Sequence, residues 1–562
     1  MAEYTTGKIS FSYGAPARSP EADRAQLAKI AETVRGGDVA EAGRLAEAAL
    51  AQGLEHPMLF NLAADRLERD ARFEDALAML QRGHDLTPAD PGLNQAMGLV
   101  LHRLERFALA VARFDAVIAA QPAFAPAHAA RGASLEAMGD IQPAEAAYRR
   151  AIELAPGHLT ATAGLASLAS RRGRSAEARE LAGQVLAQQP NYPDAVMVLA
   201  QADLADGRPQ EGEARIYELL ADPRPTVEQR ALAQGLLGDI LDAQDRIAEA
   251  FTAYDTCNRA LLQAYRPRFG KGMSALAYAR EALDLVERLA ADAWASPAQP
   301  PASLPGGGAP AGHVFLMGFP RSGTTLLEQV LASHPDVEAL EERDTMADAM
   351  AAYGRTPAQL VGLADAPQSE LTRLRDAYWA RVTAEGARPA GKLFVDKHPL
   401  NTFRLPVIAK LFPEAKVLFA RRDPRDVVLS CFRRRFAMSG PMYQLLTLEG
   451  AAAFYDVAMQ FGERLGGRLP LDHQVVRHES LVEDFDTTAR AVCAFLGLPW
   501  TDALRSFADR IQDRGVATPS GAQLSRGLSA EGMGAWRRYA DQLAPTGPTL
   551  APWVARFGYP AA

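Results

Sequence analysis

The stretch VFLMGFPRSGTTLLEQVL, Val314 to Leu331, decides how the second half of the chain is read. An apolar run with strand character enters a glycine-containing turn, and the turn enters a helix pattern. Gly318 and Gly323 have the spacing G-x-x-x-x-G. Backbone N–H groups at such a turn, together with the dipole of the following helix, favour an anion. The residue after Gly323 is Thr324, a hydroxyl where a nucleoside triphosphate site carries lysine. Arg321, Ser322, Gly323, Thr324 and Thr325 are the first candidate anion ligands. Taken alone, the stretch is equally satisfied by a plain strand-to-helix turn capped by Thr324 or Thr325.

The rest of the chain frames this loop. Its 562 residues exceed what one core ordinarily holds, so at least two domains are expected. A net charge of -8 argues against a general nucleic-acid binder and makes any anion site a local feature. Cys257, Cys431 and Cys493 are odd in number and far apart, the pattern of buried small hydrophobes and not of a disulfide framework or a metal site. The start of the chain has no apolar signal-peptide core, and no apolar run reaches membrane-spanning length. A soluble, cytoplasmic protein is the expectation.

The first half repeats. Pro88, Pro122, Pro156 and Pro190 are 34 residues apart, and so are Ala76, Ala110, Ala144 and Ala178; Gly139, Gly173 and Gly207 keep the same period. Proline recurs where a second helix must stop, and small residues recur where helices cross closely. This pattern resembles the tetratricopeptide repeat, strongest from 56 to 222, with QGLLGDILDAQDRIAEAFTAYDTCNRAL as one further pair out of step. A solenoid of this kind offers a concave surface for a protein or peptide partner. The Pro/Gly-rich stretch from Ser296 to Gly312 then marks a linker. The expected domains are a helical repeat over 1–290, a linker over 291–312, and an α/β domain over 313–562.

In the α/β part, candidate strands are 314–319, 337–340, 392–396, 416–421 and 474–478, alternating with helices as a mostly parallel sheet requires. Polar residues follow their carboxyl ends: Arg321 to Thr325, Glu341 and Glu342, Lys397, Arg422, and His478 with Glu479. Ligands of open parallel sheets bind at that edge. The segment KVLFARRDPRDVVLSCFRRRF, 416–436, supplies a second basic element. Asp423 suits an N-cap and Pro424 the first helical position. Ser430 and Arg434 are then one turn apart on one face, with Arg422 just ahead of the helix, and together they suit a second phosphate. Arg425, Arg433 and Arg435 read as solvated charges.

Two motifs now carry a resemblance. PRSGTTLLEQVLASHPDV resembles the 5'-phosphosulfate loop of sulfotransferases, and RRDPRDVVLS their 3'-phosphate element, in order and about 100 residues apart. The resemblance covers roughly 313–562. It implies a P-loop-like α/β fold and a donor, 3'-phosphoadenosine 5'-phosphosulfate (PAPS), used without a metal. It places Arg321, Ser322, Gly323, Thr324 and Thr325 at the sulfuryl end and Arg422, Ser430 and Arg434 at the 3'-phosphate. Within the family, HPDVEALEERD and FVDKHPLN are similar to segments of tyrosylprotein sulfotransferases carrying a catalytic glutamate and lysine, here Glu342 and Lys397. TPSGAQLSRG resembles a cofactor loop, which implies Ser520 as a transition-state contact and Arg526 as a phosphate contact. His478 stands where that family often has a cofactor-contacting tyrosine, and the paired cysteines of its secreted-pathway members are missing.

The chemistry is consistent with this. Sulfuryl transfer needs in-line positioning and charge stabilisation on a leaving phosphate, with less charge than phosphoryl transfer and no bridging metal. Glu342 suits the general base and Lys397 the bridging oxygen. Glu341 contends by position, although neighbours at a strand end are expected to point oppositely, and His398 contends by chemistry, with capping as its alternative. The competing functions are a P-loop kinase, disfavoured by Thr324, and a repeat scaffold with an inactive nucleotide-binding domain. If the repeats dock a protein acceptor, removal of residues 1–290 is expected to spare donor binding and to reduce transfer to the natural substrate. Acceptor and oligomeric state have no signature in the sequence.

Overall fold

The computed structural model describes residues 19–296, 304, 307–508, 510 and 527–561. It contains two compact units, one ending at Leu165 and the other beginning at Ala166. Among the described residues, fifteen helices from Pro20–Arg35 to Ala275–Arg288 precede the sheet. Left-handed residues close the first helix of successive pairs at Gly37, Ala71, Glu105, Gly139, Gly173 and Gly207. The 34-residue register therefore starts ahead of the proline pattern, because Ala71 and Glu105 adopt the turn conformation without glycine. Asp245 takes the same turn between Val227–Ala243 and Ile247–Phe269, which is the out-of-step pair anticipated from 234 to 261. Glycine is required at Gly238, where a Cβ would lie 2.5 Å from the Tyr254 ring. Thr226 and Gln229 form a capping box at the start of that pair.

The second unit also carries a five-stranded parallel sheet: β1 Gly312–Met317, β2 Val337–Glu341, β3 Leu393–Lys397, β4 Lys416–Arg421 and β5 Asp472–Arg477. The strand order is β2-β3-β1-β4-β5. Register pairs Leu316 with Lys397, Glu341 with Lys397, and Met317 with Phe419. Both faces are covered, as a parallel sheet requires. Val314, Leu316, Val395 and Leu418 enter one core with Leu326, Leu327 and Val330 of the helix Thr324–Ala332. Phe315, Met317, Phe394 and Phe419 enter the other. From β1 the chain proceeds to one side, and from β4 to the other. The crevice expected at this switch lies beyond the carboxyl ends of β1 and β4, where the two basic elements emerge.

The larger core does not stop at the linker. Leu236, Ile240, Leu283 and Val286 of the preceding helices share it with Phe315, Met317 and Phe419. Ser296 Oγ and the Lys410 ammonium hold the same junction, donating to Lys410 O (2.9 Å) and Ala293 O (2.9 Å). A cut at 290 would remove this apolar cover from one face of the sheet, so such a truncation is expected to weaken the α/β domain itself. Among the described residues, no helix is long and apolar enough to cross a membrane.

Candidate active site

The loop after β1 is built for close approach. A Cβ on Gly318 would lie 2.5 Å from Ala420 O, and one on Gly323 would lie 2.6 Å from His478 Nδ1. Arg321 has a left-handed backbone, φ 72°, which costs a non-glycine residue energy and is kept where surroundings fix it. Thr402 Oγ1 props the loop from below by donating to Gly318 O (2.6 Å). Helix Thr324–Ala332 begins with Gly323 as its N-cap and no side chain capping it. The plain reading in which Thr324 or Thr325 is the cap is thereby corrected. Ser322, Thr324 and Thr325 are all buried at this terminus.

The second basic element converges on the first. Asp423 caps the helix Pro424–Arg433 by accepting from Arg425 N (2.9 Å), with Pro424 in the first turn as expected. Arg321 Nε donates to Ser430 Oγ (3.0 Å), joining the two elements directly. Arg422 Nη1 reaches Arg321 O (3.5 Å), its Nη2 donates to Gly532 O, and its buried Nε has no hydrogen-bond partner among the described residues. Burial pushes the Arg321 guanidinium down to about 9, and the charges of Arg434 and Arg422 act in the same direction. A pocket that crowds guanidinium groups in this way is electrostatically suited to an anion. His478 opens the helix that follows β5. Its Nδ1 is buried without a hydrogen-bond partner among the described residues, and burial, then Arg422 and Arg321, pushes the imidazole down to about 3. It faces the loop as a neutral ring.

Several sequence expectations change here. The helix ends at Arg433, and Arg434 is its extended cap, φ -96° and ψ 140°, so Ser430 and Arg434 do not share a helix face. Arg434 still acts on Arg321 electrostatically. Arg425, Arg433 and Arg435 are not solvated charges. Arg425 is buried, bonded to Asp423 and to Pro560 O (2.7 Å each), and lies over the Trp536 ring at 3.6 Å. Arg433 and Arg435 are ion-paired to Asp242 and Asp239. A charge run reads as solvent-facing only while its partners, nearly 200 positions away, are unknown. Ser520 and Arg526 lie outside the described residues. Just after them, Asp426 accepts from Gly534 N (2.6 Å) and Trp536 N (2.9 Å), fixing the chain where it touches Arg422.

At the ends of β2 and β3 lies a second cluster. Lys397 is fully buried, with Nζ 2.7 Å from Glu342 Oε1, 3.2 Å from Glu328 Oε2 and 3.6 Å from Glu341 Oε1. Glu341 and Glu342 do not point oppositely. Glu342 has φ 44°, which breaks strand alternation and turns both carboxylates toward the lysine, while Glu342 N continues the ladder to Lys397 O (2.8 Å). Of the three carboxylates, Glu342 has the most exposed side chain, at 40%. Burial raises the affinity of Glu342 for a proton, yet Lys397 outweighs it and holds the carboxyl below its usual range. Burial pushes Glu328 up to about 8 despite Lys397. Lys397 is raised by the three carboxylates acting against burial. His398 accepts from Leu400 N (3.2 Å) through Nδ1 and is pushed down to about 4 by burial, then by Arg404. It is the cap of the following turn.

Sequence reasoning missed Glu328. Only its place one turn beyond Thr324 in an otherwise apolar helix face marks it. It also missed Thr345 and Tyr378, which donate to buried Asp396 (2.7 and 2.8 Å) and so tie the Glu342 loop to β3.

These elements define a class: an α/β anion-binding loop without a lysine, a second guanidinium element, and a carboxylate–ammonium pair beside them. Residues 313–502 match the model of the sulfotransferase family, and residues 135–201 match a tetratricopeptide repeat model. The chain thus carries a region similar to tetratricopeptide repeats ahead of a region similar to the sulfotransferase family. Protein-tyrosine sulfotransferase 1 of Danio rerio is 27% identical over 260 residues, 44% of this chain and 72% of that protein. An uncharacterized protein of Aquifex aeolicus is 25% identical over 418 residues, 71% of this chain. The chain spans 51% of that relative's length. A solved tetratricopeptide repeat protein from Parabacteroides merdae aligns with 43% of this chain and 93% of its own, at 17% identity and a TM-score of 0.35.

Proposed function

We propose that the chain is a sulfotransferase that moves the sulfuryl group of PAPS to an acceptor hydroxyl, with a protein tyrosine as the first candidate acceptor. The observation that carries this reading is the 2.7 Å contact between Lys397 Nζ and Glu342 Oε1 on the sheet edge that also carries the joined Arg321–Ser430 elements. A base for the acceptor and a cation for the leaving side thus stand next to an anion pocket. PAPS supplies the activated sulfuryl group and a phosphate leaving group. Arg321 to Thr325 would hold the 5' end, and Arg422, Ser430 and Arg434 the 3'-phosphate; Ser520 and Arg526 complete the proposed set. His478 offers its unpartnered nitrogen to the same ligand. No metal is assigned to the reaction. Glu342, ionised at neutral pH because Lys397 holds it so, takes the acceptor proton, and Lys397 stabilises the charge that develops on the leaving oxygen.

The likeness to protein-tyrosine sulfotransferase 1 of Danio rerio and the repeat model support a protein or peptide acceptor docked by the repeats; cytoplasmic residence is part of the same proposal. Incubating the purified protein with sulfur-labelled PAPS and cell extract, with chelator present, tests this. Label in a protein band, absent with Glu342→Gln, is the expected result. Label confined to small molecules moves the acceptor to another class. Identical labelling by both forms contradicts the reading.

A further inference from the structure

The helix Pro424–Arg433 runs into three consecutive arginines, and the structure gives them different partners. Arg433 Nη2 donates to Asp242 Oδ2 (2.6 Å), with the Tyr254 and Tyr539 rings at 5.2 and 5.4 Å. Arg435 Nη2 donates to Asp239 Oδ2 (2.6 Å), and its Nη1 to Gly235 O (3.0 Å). Each aspartate is oriented in turn: the Tyr254 hydroxyl donates to Asp239 Oδ1 (2.9 Å) and the Tyr539 hydroxyl to Asp242 Oδ1 (2.7 Å). Asn258 Nδ2 donates to Phe432 O (2.8 Å), so the backbone is held as well. Gly235, Asp239 and Asp242 lie on Val227–Ala243, and Tyr254 and Asn258 on Ile247–Phe269, the last repeat-like pair before the sheet. Between the two held arginines lies Arg434, whose charge acts on Arg321 and feels Asp239.

The consequence is mechanical. Arg433 to Arg435 would repel one another if left unpaired, and the side chains of both ion pairs are at most about one-fifth exposed, where losing one partner is felt strongly. We propose that Asp239 and Asp242 are positioning residues for the 3'-phosphate side of the donor pocket: by clamping Arg433 and Arg435 they set Arg434 and Ser430 against Arg321. The last repeat pair is then a wall of the enzyme as well as an end of the solenoid. The inference rests on the reading of the pocket as a donor site.

The test is calorimetric titration with 3'-phosphoadenosine 5'-phosphate and with adenosine 5'-phosphate, using the full chain. Asp239→Asn and Asp242→Asn are expected to weaken the first ligand about tenfold, the size of effect typical when the partner of a binding residue is removed, and to leave the second within about twofold. Asp239→Glu, which keeps the charge, is expected to restore most of the preference. Asp486→Asn, at an exposed pair with Arg505 that shares no residue with this network, leaves both affinities unchanged. Should Asp239→Asn not fold, Tyr254→Phe removes only the hydroxyl that orients Asp239, and a reduced preference is again expected. An unchanged preference in a folded variant overturns the proposal, as does equal loss for both ligands. A wild type with no preference overturns the donor-site reading instead, and the clamp falls with it.

Discussion

Glu342→Gln lowers kcat by about 10²- to 10⁴-fold, the contribution typical of a positioned general base, and leaves affinity for 3'-phosphoadenosine 5'-phosphate nearly unchanged. The amide keeps the shape of the side chain but cannot accept the acceptor proton. The variant is expected to fold, because Lys397 retains Glu341 at 3.6 Å as a counter-charge and Glu328, raised to about 8 by burial, at 3.2 Å as a polar partner. Because Lys397 holds the Glu342 carboxyl below its usual range, the acid limb of kcat/KM for the wild type lies below the ordinary glutamate range. Glu341→Gln is expected to be much milder, since Glu341 is the more distant and less exposed carboxylate. Steady-state kinetics on the labelled acceptor check this. The reverse order of the two variants moves the base to Glu341. Near-normal rates in both return His398 to consideration, against its capping bond to Leu400 N.

Lys397→Met is the second large effect, and it falls on both rate and stability. Loss of the cation beside the leaving oxygen is expected to lower kcat by about 10²- to 10³-fold. Unlike the first variant, this one leaves Glu328, Glu341 and Glu342 facing one another around a fully buried position. Breaking a buried ion pair from one side costs about 3–5 kcal/mol, so Tm falls. The pH dependence has a definite sign. The lysine is raised in the folded state, so its contribution is complete below its unfolded value and does not change near neutrality. In the variant the carboxyls lose the group that lowers them. Glu328, at about 8 even with the lysine present, binds more protons folded than unfolded, and stability falls as pH rises through that window. The wild type shares this loss up to about pH 8, where its own Glu328 ionises; the variant, with Glu328 held higher once the lysine is gone, goes on losing stability, so the Tm gap widens as pH rises above about 8. A variant as stable as the wild type, with a gap independent of pH, contradicts the cluster.

Much of this site is legible in the sequence because strand ends and loop glycines are local signals. The 34-residue period announces the repeats through prolines and small residues, and the apolar runs announce all five strands to within a few residues. Arg321 and Arg422 can be placed on one edge in advance because each follows a strand of one parallel sheet, whereas the direct bond from Arg321 to Ser430 emerges only from the structure. What escapes is set by distant partners. Nothing near Arg433 or Arg435 tells that Asp242 and Asp239 of a repeat helix neutralise them. Glu328 looks like a surface residue until β3 brings Lys397 beneath its helix. The opposite orientation expected for Glu341 and Glu342 fails on one dihedral, the φ of 44° at Glu342, which strand periodicity does not encode. The same reasoning explains the extent of the solenoid: Ala71 and Glu105 repeat the conformation of a glycine turn without repeating the residue.

The donor pocket is the centre of this account, and a calorimetric titration of the wild-type chain tests it most directly. In chelator and without magnesium, 3'-phosphoadenosine 5'-phosphate is expected to bind more tightly than adenosine 5'-phosphate, with the preference lost in Arg422→Ala because the buried guanidinium beside the Arg321 loop no longer meets the 3'-phosphate. Equal affinity of the wild type for the two nucleotides would contradict it.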